Sequence, residues 1–167
     1  LEKVTVKKAM NTKPQDKDQE EKINLPKEIL LMDLLAYCPQ SLDIFFERIK
    51  NEDLKDNLSK SIYNFLEECH NSKDLKEKIS PEYVLKNAKI ARDDKTRLEL
   101  SFFLVSNFVE DMSQKEIKDD ILFLIDSLVR EKKERRKKEI EFEISRLKKD
   151  ENKKEIKNLL RELQSLI

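Results

Sequence analysis

Apolar residues in this chain recur with helical spacing from residue 26 onward and show no such spacing before it. Leu1 to Asn24 has no apolar period, and the stretch Asn11-Thr-Lys-Pro-Gln-Asp-Lys-Asp-Gln-Glu-Glu-Lys22 is polar. A segment of that kind buries too little surface to offset its ordering entropy, so residues 1–25 are expected to be a flexible linker. The first helix is predicted to begin near Pro26, because proline lacks an N–H that would be unpaired in a first turn anyway. Ile29, Leu30, Asp33, Leu34 and Tyr37 follow, with Leu31 and Leu35 widening the apolar face over most of the circumference. A helix of that kind belongs at the centre of a core. Cys38-Pro39 stops it, since a residue before proline avoids the α region. Pro39 then sits at or near the start of a second helix carrying Leu42, Phe45, Phe46 and Ile49. A third is predicted from Asp53 to His70, with Leu54, Leu58, Ile62, Phe65 and Leu66 at helical spacing. Asn71-Ser72-Lys73 reads as a loop, and Leu75 and Ile79 as part of a short turn.

Ser80-Pro81-Glu82 is a helix start: serine as N-cap, proline in the first turn, an acid beside the positive helix end. Tyr83, Val84, Leu85 and Ala88 belong to that short helix. Asp93-Asp94 opens another, lined by Leu98, Phe102, Val105 and Val109, with Leu100, Phe103, Leu104 and Phe108 alongside. Ser113-Gln114-Lys115-Glu116 is a capping box, in which Ser and Glu satisfy each other's backbone donors. No breaker follows until Asp150-Glu151-Asn152, so a single helix of about 35 residues is predicted, long for a globular protein.

The pattern changes along that helix. Ile117, Ile121, Leu124, Ile125 and Leu128 form a core-facing stripe, whereas Arg130 to Glu139 contains no apolar residue. A helix polar all round is solvent-bridging or unstable alone, and a solvated strut is expected here. Ile140, Ile144 and Leu147 resume a stripe, and a last helix carries Ile156, Leu159, Leu160, Leu163 and Ile167 on one face. The two stripes match as an antiparallel hairpin. The expected fold class is therefore all-α: a multi-helix bundle over 26–129, joined by a long helix to a C-terminal two-helix hairpin within 130–167.

Composition narrows the function classes. The 167 residues include no glycine, against an average usage of roughly 7%. Gly-rich phosphate loops and Gly-built oxyanion turns are excluded, and tight β-hairpins are disfavoured. With 35 basic and 35 acidic residues the formal charge is zero, unlike the strongly basic footprint of a dedicated nucleic-acid binder. No apolar run approaches the ~18 residues of a membrane span, and no signal peptide opens the chain. Two isolated cysteines are not a disulfide framework, and an intracellular, cytoplasmic protein is expected. The sequence starts at Leu1 rather than methionine, and a larger parent protein is expected.

Candidate chemistry is sparse. Cys69-His70 is the only adjacent pair of soft ligands, and a zinc site needs about four ligands. Neighbours on a helix do not face each other, which disfavours a Cys-His nucleophile pair. The pairs Asp93-Asp94 and Asp119-Asp120 lie near first turns, where acids offset the helix dipole without any metal. The run Arg130 to Lys138 carries Glu131 and Glu134 within it and no aromatic, so weak phosphate contact is the lesser reading. Phe142 points about 160° away from the Ile140-Ile144-Leu147 stripe. Two readings of it stay open: an ordinary exposed aromatic, or an anchor for a partner's pocket. An enzyme in its own right is not expected.

The stretch Asp120-Ile-Leu-Phe-Leu-Ile-Asp-Ser-Leu, the Arg/Lys/Glu-rich helix after it, and Glu155-Ile-Lys-Asn-Leu-Leu-Arg-Glu-Leu-Gln-Ser-Leu-Ile167 together resemble the end of bacterial DnaG-type DNA primases. Ile29-Leu-Leu-Met-Asp-Leu-Leu-Ala-Tyr-Cys-Pro39 resembles the start of their C-terminal domain, and the polar lead resembles the tether before it. The likeness covers about residues 26 to 167 and rests on pattern and order, not on an invariant motif. It implies that zinc- and magnesium-dependent domains lie upstream and that this part, without cofactors of its own, binds the N-terminal domains of the hexameric DnaB-type helicase. The terminal hairpin would be the main contact, and the bundle would modulate the helicase. The candidate partner-contacting residues are Phe142, Arg146, Lys149, Lys153, Lys157, Arg161, Gln164 and Ser165. A monomer or a hairpin-swapped dimer is expected, with no strong nucleic-acid binding and no membrane. The alternative is the N-terminal collar domain of the helicase itself, or another helical interaction module.

Overall fold

The computed structural model describes residues 25–147 and 152–166. The expected linker at 1–25 lies outside these residues except for Leu25, as do the expected turn residues Asp150 and Glu151. The protein is all-α: every regular element among the described residues is helical. The chain divides into two compact units, Leu1–Ile125 and Asp126–Ile167.

The first unit is built around α1, Lys27–Tyr37, in which every residue from Ile29 to Ala36 is buried. A helix apolar on all sides must be surrounded. It packs against α3 (Asn57–Asn71), α5 (Pro81–Asn87) and α6 (Arg92–Val109). Tyr37 meets Phe102 of α6 edge-on, ring centroids 6.4 Å apart. After Cys38 the chain makes a 3-10 turn, Pro39–Ser41, and enters α2, Leu42–Arg48. There the Phe45 ring lies tilted against Tyr63 of α3 and the Phe46 ring meets it edge-on, centroids 5.4 and 5.1 Å apart, and the Tyr63 hydroxyl donates to the Ile49 carbonyl at 3.2 Å.

The third helix starts later than its periodicity predicts. Asn51–Asp53 is a 3-10 turn, Leu54 is buried in extended backbone, and α3 begins at Asn57. The reason is tertiary. The Glu28 carboxylate, on the first turn of α1, accepts the Lys55 and Asp56 N–H groups at 2.9 Å, and Asp56 then caps α3 by accepting from Ser59 N at 2.9 Å. At its other end α3 runs on to Asn71, and the expected loop shrinks to Ser72 before the single-turn α4, Lys73–Lys76.

Other local signals hold. Ser80 caps α5, accepting from Tyr83 N at 3.2 Å. The capping box forms: Ser113 N donates to Glu116 Oε2 at 2.8 Å, and Glu116 N donates to Ser113 Oγ at 3.3 Å. It opens α7, Gln114–Arg146, an uninterrupted 33-residue helix. Within the first unit Ile117, Ile121, Leu124 and Ile125 are buried as a stripe. Among the described residues no single helix is long and apolar enough to cross a membrane.

The second unit holds the rest of α7 and α8, Lys153–Ser165. The two run antiparallel. Arg136 pairs with Glu162, whereas Ile144, two turns further along α7, borders a groove with Lys153, Ile156, Lys157 and Leu160. Among the described residues of this pairing, Ile140 and Leu159 are the buried ones. Arg136 carries it into the all-polar run: Arg130 to Glu139 is not a bare solvated strut along its whole length, because α8 supplies a carboxylate to it.

Candidate protein-docking surface

Within a two-helix hairpin each helix covers only one stripe of the other, so the remaining faces are the candidate surface. Phe142 lies on such a face and is 61% exposed. Its ring is capped by Arg146 one turn on, the guanidinium carbon 5.4 Å from the ring centroid. This is a cation–π pair at helical spacing that holds both side chains over one patch.

Lys153 and Lys157, one turn apart on α8, are both exposed. With Ile144 of α7 and Ile156 and Leu160 of α8 they line an open groove of about 270 Å³. Arg161, Gln164 and Ser165 are exposed as well, and the Ser165 hydroxyl donates back to the Glu162 carbonyl at 2.7 Å. Lys149 lies outside the described residues. The eight sequence candidates are therefore not one cluster. Phe142 and Arg146 form a pair, Lys153 and Lys157 form the rim of a groove, and neither Phe142 nor Arg146 lines that groove.

The groove has an apolar floor that the sequence placed inside the hairpin. Leu160 is 46% exposed, and Ile144 and Ile156 are half-buried. The signal was present: Leu159 and Leu160 are adjacent, so they stand about 100° apart, and one of them has to miss the seam when the other fills it. Leu159 is the buried one.

Among the described residues an Arg136–Glu162 clamp joins the two helices of the hairpin. The Arg136 guanidinium donates to both oxygens of Glu162, at 2.7 and 3.1 Å, and reaches Glu139 at 3.4 Å and Glu143 at 3.2 Å. The hydrogen bonds from Arg136 hold the Glu162 carboxyl below the usual glutamate range. Lys153 and Lys157 take part in no ion pair among the described residues.

Two features of the first unit were not anticipated. Leu100 and Phe103 of α6 are 58% and 62% exposed, with Leu104 beside them, so the wide apolar character of α6 is only half used by the core. Asp33 of α1 is fully buried, and neither of its oxygens has a hydrogen-bond partner. Burial pushes its carboxyl well above the usual range. The Ser101 hydroxyl itself donates to the Leu98 carbonyl at 3.0 Å.

The reactive-looking pairs do other work. Cys69 is buried, and burial followed by the Glu68 charge pushes its thiol up, away from a reactive thiolate. His70 turns elsewhere, its Nε2 3.2 Å from Asp43 Oδ1, an oxygen that also meets Lys76 Nζ at 3.3 Å. Asp94 is paired with Arg97 at 2.9 Å. Burial, then Asp119 and Glu116, pushes the Asp120 carboxyl up. Among the described residues no three His, Cys, Asp or Glu side chains come together as a metal-holding group.

Comparison with family models, with curated proteins and with solved structures finds no match to this chain.

Proposed function

We propose that this chain is a protein-docking module: the helicase-interaction domain of a bacterial replicative DNA primase. In that role it binds the N-terminal domains of a hexameric helicase and couples primer synthesis to unwinding. Polymerase chemistry, with its zinc and magnesium, would belong to upstream domains of the parent protein, and the module itself would catalyse nothing. The observation that carries the docking role is the hairpin. Its internal closure uses Ile140, Leu159 and the Arg136–Glu162 clamp. That leaves Phe142, Leu160, Lys153 and Lys157 facing outward. Phe142 has Arg146 over its ring and Leu160 has Lys153 and Lys157 beside it, and exposed anchors of this kind suit a binding surface. The assignment of helicase as partner comes from the primase-like order of segments between residues 26 and 167 described above.

The test is a pull-down of the helicase N-terminal domain with the full chain and with a chain ending before Lys149. The full chain is expected to bind. The shortened chain is expected to lose binding while keeping the helical circular dichroism and cooperative melting of the first unit. Full-strength binding by the shortened chain removes the hairpin from the mechanism.

A further inference from the structure

The hairpin's groove is chemically one-sided. Its floor is Ile144, Ile156 and Leu160, and its rim is Lys153 and Lys157. The two lysines stand about 6 Å apart along the axis of α8, one turn, and like charges at that spacing repel. Nothing on α8 relieves them. Glu155 projects about 160° away from Lys153 on the helical wheel, and Glu162 is engaged by Arg136. A groove with an apolar floor and a cationic rim that is unpaired among the described residues is complementary to an apolar side chain that brings carboxylates with it.

We infer that this groove docks an acidic amphipathic helix of a partner protein, one that inserts an apolar side chain against Leu160 and places carboxylates one turn apart against Lys153 and Lys157. The inference rests on the docking-module reading and names the chemistry of the partner. A helix fits better than an extended strand. Carboxylates at i and i+4 on a helix lying along α8 match the lysine spacing, while its i+3 and i+4 apolar positions continue the seam of the hairpin. A third helix laid there also covers Ile156 and Leu160, which a two-helix hairpin cannot cover itself. Phe142 and Arg146, which do not line the groove, would be a separate contact.

The experiment uses the full chain and two labelled helical probe peptides of the same apolar pattern, one flanked by glutamate and the other by lysine, read by fluorescence anisotropy. The glutamate probe is expected to bind with an affinity that falls as salt rises, and the lysine probe to bind at least about tenfold more weakly. Leu160→Asp is expected to abolish binding of the glutamate probe. The double change Lys153→Glu/Lys157→Glu is expected to reverse the preference between probes. All three positions are exposed, and circular dichroism checks that the variants stay helical. No binding of the glutamate probe, equal binding of both probes, or indifference to these substitutions overturns the inference. So does sedimentation showing that a second copy of the chain fills the groove, with dimers that Leu160→Asp dissolves. The same variants tested against the helicase N-terminal domain separate the two readings. Wild-type binding that the variants retain leaves the helicase role standing and removes the groove. Groove-dependent peptide binding without helicase binding does the reverse.

Discussion

Arg136 on α7 and Glu162 on α8, 26 positions apart in sequence, meet through two parallel hydrogen bonds, Nε to Oε1 at 2.7 Å and Nη2 to Oε2 at 3.1 Å. This fork-to-fork geometry is directional, so it sets the register of the two helices as well as attracting them. Few of the described hairpin residues are buried, and the hairpin's closure leans on this pair more than a larger core would. Arg136→Ala is therefore expected to speed amide exchange across 153–165 while leaving exchange in α1 and α3 unchanged. The carboxyl of Glu162 is held low by Arg136. Its contribution is complete above the ordinary glutamate value near 4.5 and fades as pH falls through the lower folded value. Hairpin exchange measured from pH 6 downward at roughly constant salt checks both statements, since both side chains are half-exposed and screened.

Asp33 carries the opposite sign. Its folded carboxyl is raised by burial, so the folded state holds a proton that the unfolded state releases. Stability linked to it is complete below the ordinary aspartate value near 3.8 and falls as pH rises toward the raised folded value. Asp33→Asn cannot ionise, and is expected to flatten that slope and to be more stable than wild type at pH 8. Urea unfolding of both chains at pH 4 and pH 8 measures it; parallel pH profiles would place the cost elsewhere.

Phe45 is fully buried and touches Phe46 and Tyr63. Phe45→Ala removes a large side chain from a packed aromatic cluster and is expected to lower the stability of the first unit by about 3–5 kcal/mol. Thermal and denaturant melts read this directly. A loss under about 1 kcal/mol would mean that the cluster collapses into the space.

Phe142 is mostly exposed, with Arg146 over its ring. Phe142→Ala is expected to change stability by no more than about 0.5 kcal/mol. In the proposed role it weakens helicase binding by about 1–2 kcal/mol, as loss of an aromatic anchor does. Calorimetric titration beside a melt of the same variant separates the two effects. A large stability loss with unchanged affinity would make Phe142 structural.

Much of the helical order is written locally. The proline after Cys38, the Ser80 cap and the Ser113–Glu116 box act within a few residues, and each forms where its residues stand. The start of α3 was not legible in the same way. The side chain that takes the Lys55 and Asp56 N–H groups belongs to Glu28, 27 and 28 positions earlier. Likewise the charged run at 130–139 contains its own acids at helical spacing, and nothing local singles out Arg136 as the residue whose partner lies on α8.

The candidate surface divides in the same way. That Phe142 stands opposite the Ile140-Ile144-Leu147 stripe follows from helical geometry, so sequence alone determined it, together with the all-α class and the position of the long α7. Only the tertiary structure decided that Leu159 fills the hairpin seam while Leu160 floors a groove, that Leu100 and Phe103 stay outside the core, and that Asp33 is sealed within it. The physical reason is that periodicity states which residues can share a face. Whether that face is covered depends on neighbouring helices distant in sequence, whose approach no local pattern encodes.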